Sequence, residues 1–283
     1  MPARRLTLIL PAYNESQRIR ENVLETVEAL VMMDRGFEVI VVDDGSSDET
    51  WRHALLAKVD SHHRIRVIRY NENRGKGHAL LCGAALARGD LIAFIDADLD
   101  LHPAQLSQFL RIMEETGADV VVGSKFHPRS TLKYPLKRRI LSLGYYLLVK
   151  ALFGLPVRDT QTGLKLFRRA VLDAVAPRSH SEQFSFDIEL LYLAHSMGFN
   201  IVEAPVDLRS ARRFGRIRLK DVARMLLETL RIFARLRVIL PIHEYLESHQ
   251  ERLAGIEYHD AGDSPKAETM AIDENIPAQL STP

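Results

Sequence analysis

Two aspartates one residue apart, Asp96 and Asp98, follow the apolar run Leu91–Ile95 in this chain of 283 residues. Carboxylates crowded at the mouth of a buried strand cannot both shed water without a cation beside them. Hard oxygen ligands of that kind suit Mg2+ or Mn2+, which take one or two carboxylates and fill the rest of their shell from substrate phosphates. A divalent ion held there would neutralise a departing phosphate as a Lewis acid. For an isolated Asp-x-Asp the plainer reading is a solvated loop. Here Tyr13–Asn14–Glu15 and Asp43–Asp44–Gly45–Ser46 also follow directly on apolar runs, and that company favours one shared site over three separate turns.

Asp43 can accept the imino N–H of uracil or guanine, and Tyr13 can lie against the face of the base. Asp44 and Ser46 serve the turn, with Ser46 or Ser47 as the N-cap of a helix whose first turn holds Asp48 and Glu49. Asn73–Arg74–Gly75–Lys76–Gly77 opens another helical run with glycines and two cations. Helix N-termini bind phosphate, and Arg74 and Lys76 add charge to that pull. Taken alone, the segment is equally a plain loop–helix junction, and it lacks the Gly-x-x-x-x-Gly-Lys-Ser/Thr spacing of a phosphate-binding loop.

The elements that must position these groups alternate along the first half. Leu6–Leu10, Phe37–Val42, Ile65–Ile68, Leu91–Ile95 and Val120–Val122 read as strands, apolar enough to be buried on both faces. Between them Ile19, Val23, Val27 and Leu30 recur at helical spacing, Gly77–Arg88 is a helix stopped by Gly89, and Pro103 opens a third. Strand–helix–strand repetition predicts a mostly parallel sheet with helices on both faces, whose ligands collect at the carboxyl ends of the strands. In the second half, Leu136–Phe153, Ser185–Met197 and Asp221–Leu240 read as helices, the second capped by Ser185, and a polar stretch from Arg158 to Lys165 leads into a short strand.

Bulk properties remove several classes. A net charge of +1 gives no field that would draw nucleic acid. The single cysteine, Cys82, lies in an apolar helical run and cannot form an internal disulfide, which suits a reducing, cytoplasmic compartment. No run of about 18 uncharged apolar residues predicts a spanning helix. A dinucleotide-dependent dehydrogenase would need Gly-x-Gly-x-x-Gly after the first strand, where Pro11–Ala12–Tyr13–Asn14–Glu15 stands instead.

Taken together, residues 11–15, Val42–Asp48, Asn73–Gly77 and Asp96–Ala97–Asp98, in this order and spacing, resemble glycosyltransferase family 2. Residues 159–165 (Asp-Thr-Gln-Thr-Gly-Leu-Lys) and 185–191 (Ser-Phe-Asp-Ile-Glu-Leu-Leu) resemble its branch that makes polyprenyl- or dolichyl-phosphate sugars, the glucosyl members especially. The likeness runs over residues 5–240. It implies the GT-A fold, a Rossmann-like α/β sheet, and an inverting transfer from a nucleotide-sugar donor. By that resemblance Pro11, Tyr13, Glu15 and Asp43 hold the nucleoside, and Asp96 and Asp98 hold the metal and diphosphate, with Arg74, Lys76 and Ala97 completing the donor site. Asp98, Lys125, Asp159 and Gln161 form the set expected at the reacting centre. Lys125 stands where the family carries arginine, keeping the charge without the bidentate fork.

A phosphate acceptor is already ionised and needs no general base, but it needs cations to hold it in line. Arg209, Arg212, Arg213, Arg216, Arg218 and Lys220 supply a dense local cluster, in which Arg212 and Arg218 match the family's basic positions near the phosphates. The helix that follows carries a basic stripe opposite an apolar one, a pattern that fits either packing on its own domain or lying in a membrane interface. The expectation is a hexosyltransferase, glucose its sugar, acting on a lipid phosphate at the cytoplasmic membrane face. The alternative is a family 2 enzyme with a soluble sugar or phosphorylated acceptor. Residues 1–217 would form the catalytic domain, 218–254 an amphipathic helical segment and 255–283 a disordered tail.

Overall fold

The structure, a computed structural model, describes residues 5–33, 35–61, 64–130, 136–179, 186–209 and 219–236. The strands are β1 (Leu6–Ala12), β2 (Phe37–Asp44), β3 (Ile65–Tyr70), β4 (Leu91–Phe94), β5 (Val120–Ser124), β6 (Lys165–Arg168) and β7 (Ile201–Pro205). The helices are α1 (Ile19–Val31), α2 (Thr50–Asp60), α3 (Lys76–Leu86), α4 (Leu106–Thr116), α5 (Leu136–Phe153), α6 (Arg169–Val175), α7 (Phe186–Ser196) and α8 (Leu219–Ala234). Seven strands form one sheet in the order β3-β2-β1-β4-β6-β5-β7.

Continuous apolar runs form the central strands because both faces of the sheet are covered. Along β1, Leu6, Leu8 and Leu10 enter one core and Ile9 the other; in β2, Val39 and Val41 oppose Ile40 and Val42. The first core is closed by α1, α2 and α4 through Val23, Ala54 and Phe109. The second is closed by α3, α5, α6, α7 and α8 through Leu80, Phe153, Leu172, Leu190 and Ile232. Helices therefore lie on both faces, as the strand–helix alternation requires.

The chain builds outward from β1 to β2 and β3, then returns to the other side of β1 with β4. That reversal opens a crevice beyond the carboxyl ends of β1, β2 and β4. The one departure from parallel order is β6, antiparallel to both β4 and β5. Running backwards, it brings its first residue, Lys165, to the edge where the parallel strands end.

Several local expectations are corrected. Neither Ser46 nor Ser47 caps α2, which starts later, at Thr50, with Glu49 at the N-cap making no side-chain cap bond; Asp48, just ahead, accepts the Thr50 N–H at 3.0 Å. Asp48 and Glu49 accordingly precede the helix instead of filling its first turn. Gly89 does not stop α3, which ends at Leu86; a Cβ at Gly89 would meet the Thr7 nitrogen at 2.6 Å, so close packing explains that glycine. The short helix α6 carried no separate signal because its seven residues follow β6 without a turn. Pro103 opens a 3-10 turn leading into α4, capped by the His102 side chain. The proposed cap Ser185 and the tail 255–283 lie outside the described residues.

Candidate active site

Three strand ends and two crossing segments build the crevice. After β1 the chain turns at Asn14, a non-glycine residue at φ 54, which its short polar side chain tolerates. Asn14 N–H donates to Ser46 Oγ at 3.0 Å, and Ser47 N–H returns a bond to Asn14 Oδ1 at 3.0 Å. Glu15 N–H donates to Thr50 Oγ1 at 2.8 Å. The loops after β1 and β2 are thereby clasped; Pro11, half-buried, lies within β1 opposite Val42, and Tyr13 is presented to solvent with 47% of its surface exposed.

Asp43 is fully buried at the end of β2. Its Oδ1 accepts the Ser46 N–H at 3.1 Å, while Oδ2 has no hydrogen-bond partner and lies 3.3 Å from Arg69 Nε. Burial raises the carboxyl above its ordinary value, against the pull of Ser46 and Arg69. Arg69 compensates the charge of that oxygen but not its hydrogen bond, which a ligand N–H would supply. Asp44 does more than serve a turn. It accepts N–H bonds from Arg74 at 2.8 Å and Gly75 at 2.9 Å, and the Tyr70 hydroxyl at 2.7 Å, fixing the entry to α3. Gly75, the N-cap, sits at φ 99, a conformation that excludes most side chains.

Lys76, the first residue of α3, forms an ion pair with Oδ1 of Asp96. Burial would raise the Asp96 carboxyl, yet Lys76, Lys165 and Lys125 together hold it below the usual carboxylate value. The same Asp96 charge, overcoming desolvation, raises Lys76. Ala97 is buried, its carbonyl accepting from Asn22 Nδ2 at 2.8 Å. Asp98 is half-buried and accepts the Asp100 N–H at 3.1 Å. Arg74 stands apart, exposed, its guanidinium 3.5 Å from His78 Nε2.

The opposite wall comes from the segment entering β6. A Cβ on Gly163 would stand 2.0 Å from Asp96 Oδ2, so only a glycine admits that carboxylate. Asp159 is buried, accepting N–H bonds from Lys125 at 3.0 Å and Gln161 at 3.1 Å, with the Lys125 ammonium at 3.5 Å. Gln161 Nε2, Thr162 Oγ1 and Ser124 Oγ are buried without hydrogen-bond partners. Such unsatisfied polar groups close to the strand ends are of the kind that pair with the hydroxyl groups of a sugar.

Among the described residues no three His, Cys, Asp or Glu side chains gather as a metal cage. Asp96 and Asp98 fit a hard divalent cation on one condition, that a ligand's phosphate oxygens complete its shell. The donor set is right in kind for Mg2+ or Mn2+ and too small to hold either firmly alone.

Residues 7–176 match the sequence profile of Glycosyl transferase family 2. The chain belongs to that family. A dolichyl-phosphate beta-glucosyltransferase of Dictyostelium discoideum is 31% identical over 218 residues, covering 71% of this chain and 65% of that protein. Its counterpart in Drosophila melanogaster is 35% identical over 220 residues, covering 72% and 67%. The glycosyltransferase thus spans about two thirds of the length of these relatives. A crystal structure of glucosyl-3-phosphoglycerate synthase from Mycobacterium tuberculosis, in complex with Mn2+ and UDP-glucose, shares the fold with a TM-score of 0.59, at 21% identity over 81% of this chain and 79% of that one. The expected GT-A arrangement is the one observed.

The glycosyltransferase brings Tyr13, Asp43, Lys76, Asp96, Asp98, Lys125, Asp159 and Gln161 to one edge of its sheet. Arg212 and Arg218 lie outside the described residues. The chain leading to them pairs Leu208 with Leu101 and donates the Arg209 N–H to the Asp100 carbonyl at 3.0 Å, beside the Asp98 turn. Asp187 and Glu189 point different ways on α7, as two-residue spacing requires, and each is held by a cation. Asp187 pairs with Lys165 at 2.8 Å and the fully buried Glu189 pairs with Arg235. Reading the sequence missed Lys165, 1% exposed and bonded to the Thr162 carbonyl and Asp187. A lysine at the start of an apolar strand was the available signal.

Proposed function

We propose that this glycosyltransferase moves glucose from UDP-glucose to a polyprenyl or dolichyl phosphate with inversion, using Mg2+ or Mn2+. One observation carries the donor half: the Lys76–Asp96 pair, with both side chains about a third or more exposed, stands at the start of α3 beside the strand ends that carry Tyr13 and Asp43. Asp43 would accept the imino N–H of uracil, Tyr13 would cover the base, and Lys76 would meet the diphosphate. Asp96 and Asp98 would hold the divalent ion, which supplies charge neutralisation to the departing diphosphate. Gln161, Thr162 and Ser124 would orient the sugar, and Lys125 would add positive charge where the acceptor phosphate approaches.

The relatives' names support glucose and dolichyl phosphate, and the basic stretch from Arg209 to Lys220 suits a phosphate acceptor whether lipid-borne or free. No helix among the described residues is long and apolar enough to cross a membrane. Exposed Leu141 and Leu147 on α5 and Leu227 and Leu230 on α8 fit attachment at the cytoplasmic face of a membrane through helix surfaces.

The test is nucleoside diphosphate release from UDP-glucose, UDP-GlcNAc and GDP-mannose, each with Mn2+, with and without a polyprenyl phosphate. Lipid-dependent release from UDP-glucose, abolished by chelation, is the expected result. Release indifferent to the lipid would transfer the acceptor assignment to a soluble phosphorylated compound, and release from another donor would overturn the choice of UDP-glucose.

A further inference from the structure

Asp96 is held on both sides before any ligand arrives, by an ion pair at one oxygen and by close packing at the other. Lys76 pairs with Oδ1, and Gly163 backs Oδ2 so closely that a methyl group would not fit. The lysine is placed there by construction: it begins α3 directly after Gly75, whose N–H is held by Asp44. Yet the pair faces the crevice, with side-chain exposures of 34% for Lys76 and 42% for Asp96, so it is open to exchange. By contrast Lys165, buried to 1%, is committed to Asp187. An ammonium on a flexible four-carbon stem can change partner without moving the backbone.

We propose that Lys76 is the counter-ion of Asp96 in the donor-free enzyme and releases that carboxylate only when a nucleoside diphosphate is present to take the ammonium. The divalent cation then enters with the donor and not ahead of it. This rests on the reading of the crevice as a site for a nucleotide sugar and a divalent ion. With Lys76 in contact with Asp96, a lone dication meets a carboxylate whose charge is already opposed and must displace the ammonium to use it. A diphosphate reverses the balance, because it draws Lys76 away and contributes its own oxygens to the metal shell. One cation thus serves two anions in turn, which makes metal and donor binding mutually dependent.

The consequence is a pair of opposite effects from one substitution. Lys76→Met should tighten the binding of Mn2+ alone by about tenfold, since it removes a competing charge at contact distance. The same variant should weaken the binding of UDP alone by a similar factor. Lys76→Arg keeps the charge and should leave Mn2+ binding as weak as in the wild type. Mn2+ binding is read by electron paramagnetic resonance and UDP binding by calorimetry, on the full chain, with circular dichroism to check folding. A wild-type comparison of Mn2+ affinity with and without UDP needs no variant, and a large gain with UDP is expected. Mn2+ bound by the wild type as tightly alone as with UDP would overturn the proposal and leave the donor reading standing. So would a Lys76→Met protein, folded, with unchanged or weaker Mn2+ affinity. A wild type that binds no UDP at all would overturn the donor reading and the proposal with it.

Discussion

Asp43 concentrates the donor question in two oxygen atoms. One accepts the Ser46 N–H and the other faces the Arg69 guanidinium at 3.3 Å without a hydrogen bond, in a residue with no exposed surface. Asp43→Asn keeps the shape but can turn an N–H toward the imino group of the base. UDP affinity should fall by about 1–3 kcal/mol, the cost of an unmatched buried polar group, as calorimetry would read it. Burial also sets a pH signature. Because the Asp43 carboxyl is raised from 3.8, it takes up its proton earlier on acidification than an exposed aspartate would. UDP affinity should therefore decline as pH falls through a midpoint above 3.8, and the decline should vanish in Asp43→Asn. A raised folded-state value means that protonation of this group favours the folded form, so Asp43 itself contributes no unfolding in that window. The place of this acidic residue at a strand end was legible from the apolar run before it. Lys165 was not, because the carboxylate that compensates its buried charge, Asp187, stands 22 positions further on and is brought near by folding.

At the scale of elements, the decisive contribution is the segment that enters β6. Gly163 lies against Asp96 because β6 runs antiparallel and starts where the parallel strands finish. Gly163→Ala would press a methyl group into the carboxylate, displacing it by the order of an ångström. Misplacement on that scale costs about a hundredfold in turnover, so glucose transfer should drop by roughly that factor with little change in the circular dichroism spectrum. Retained activity would show that Asp96 can shift without consequence. The parallel strands were readable because burial on both faces leaves uninterrupted apolar runs, closed by turn residues. The direction of β6 was not readable. Alternation along a strand reports which faces are buried, and carries nothing about which neighbour it pairs with or which way it runs. The start of α2 was misplaced for a related reason: Ser46 was drawn into the loop–loop clasp with Asn14, and the helix begins four residues later with no side-chain cap.

Across the whole molecule, two carboxylates on α7 tie the second core together. Asp187 joins the helix to β6 through Lys165, and Glu189 joins it to Arg235 next to the end of α8. Removing one member of a buried pair strands the other. Lys165→Met should lower the stability by about 3–5 kcal/mol, measured by denaturant unfolding, and the double change Lys165→Met with Asp187→Leu should recover most of the loss. Failure of the double variant to recover would mean that Lys165 matters through its bond to the Thr162 carbonyl and not through Asp187.

The position of β6 also bears on how the chain folds. β4 is synthesised some seventy residues ahead of the strand that flanks it, and β5, made in between, takes its place on the far side of β6. Until residues 165–168 leave the ribosome, the nascent sheet presents β4 as a bare edge, with unpaired backbone groups that invite pairing with other chains. Closing the sheet means inserting a late strand between two earlier ones, a non-local step of the kind that slows folding. The same insertion delivers Gly163 to Asp96, so competence for the donor and completion of the sheet should arrive together, as a single late event in the life of the polypeptide.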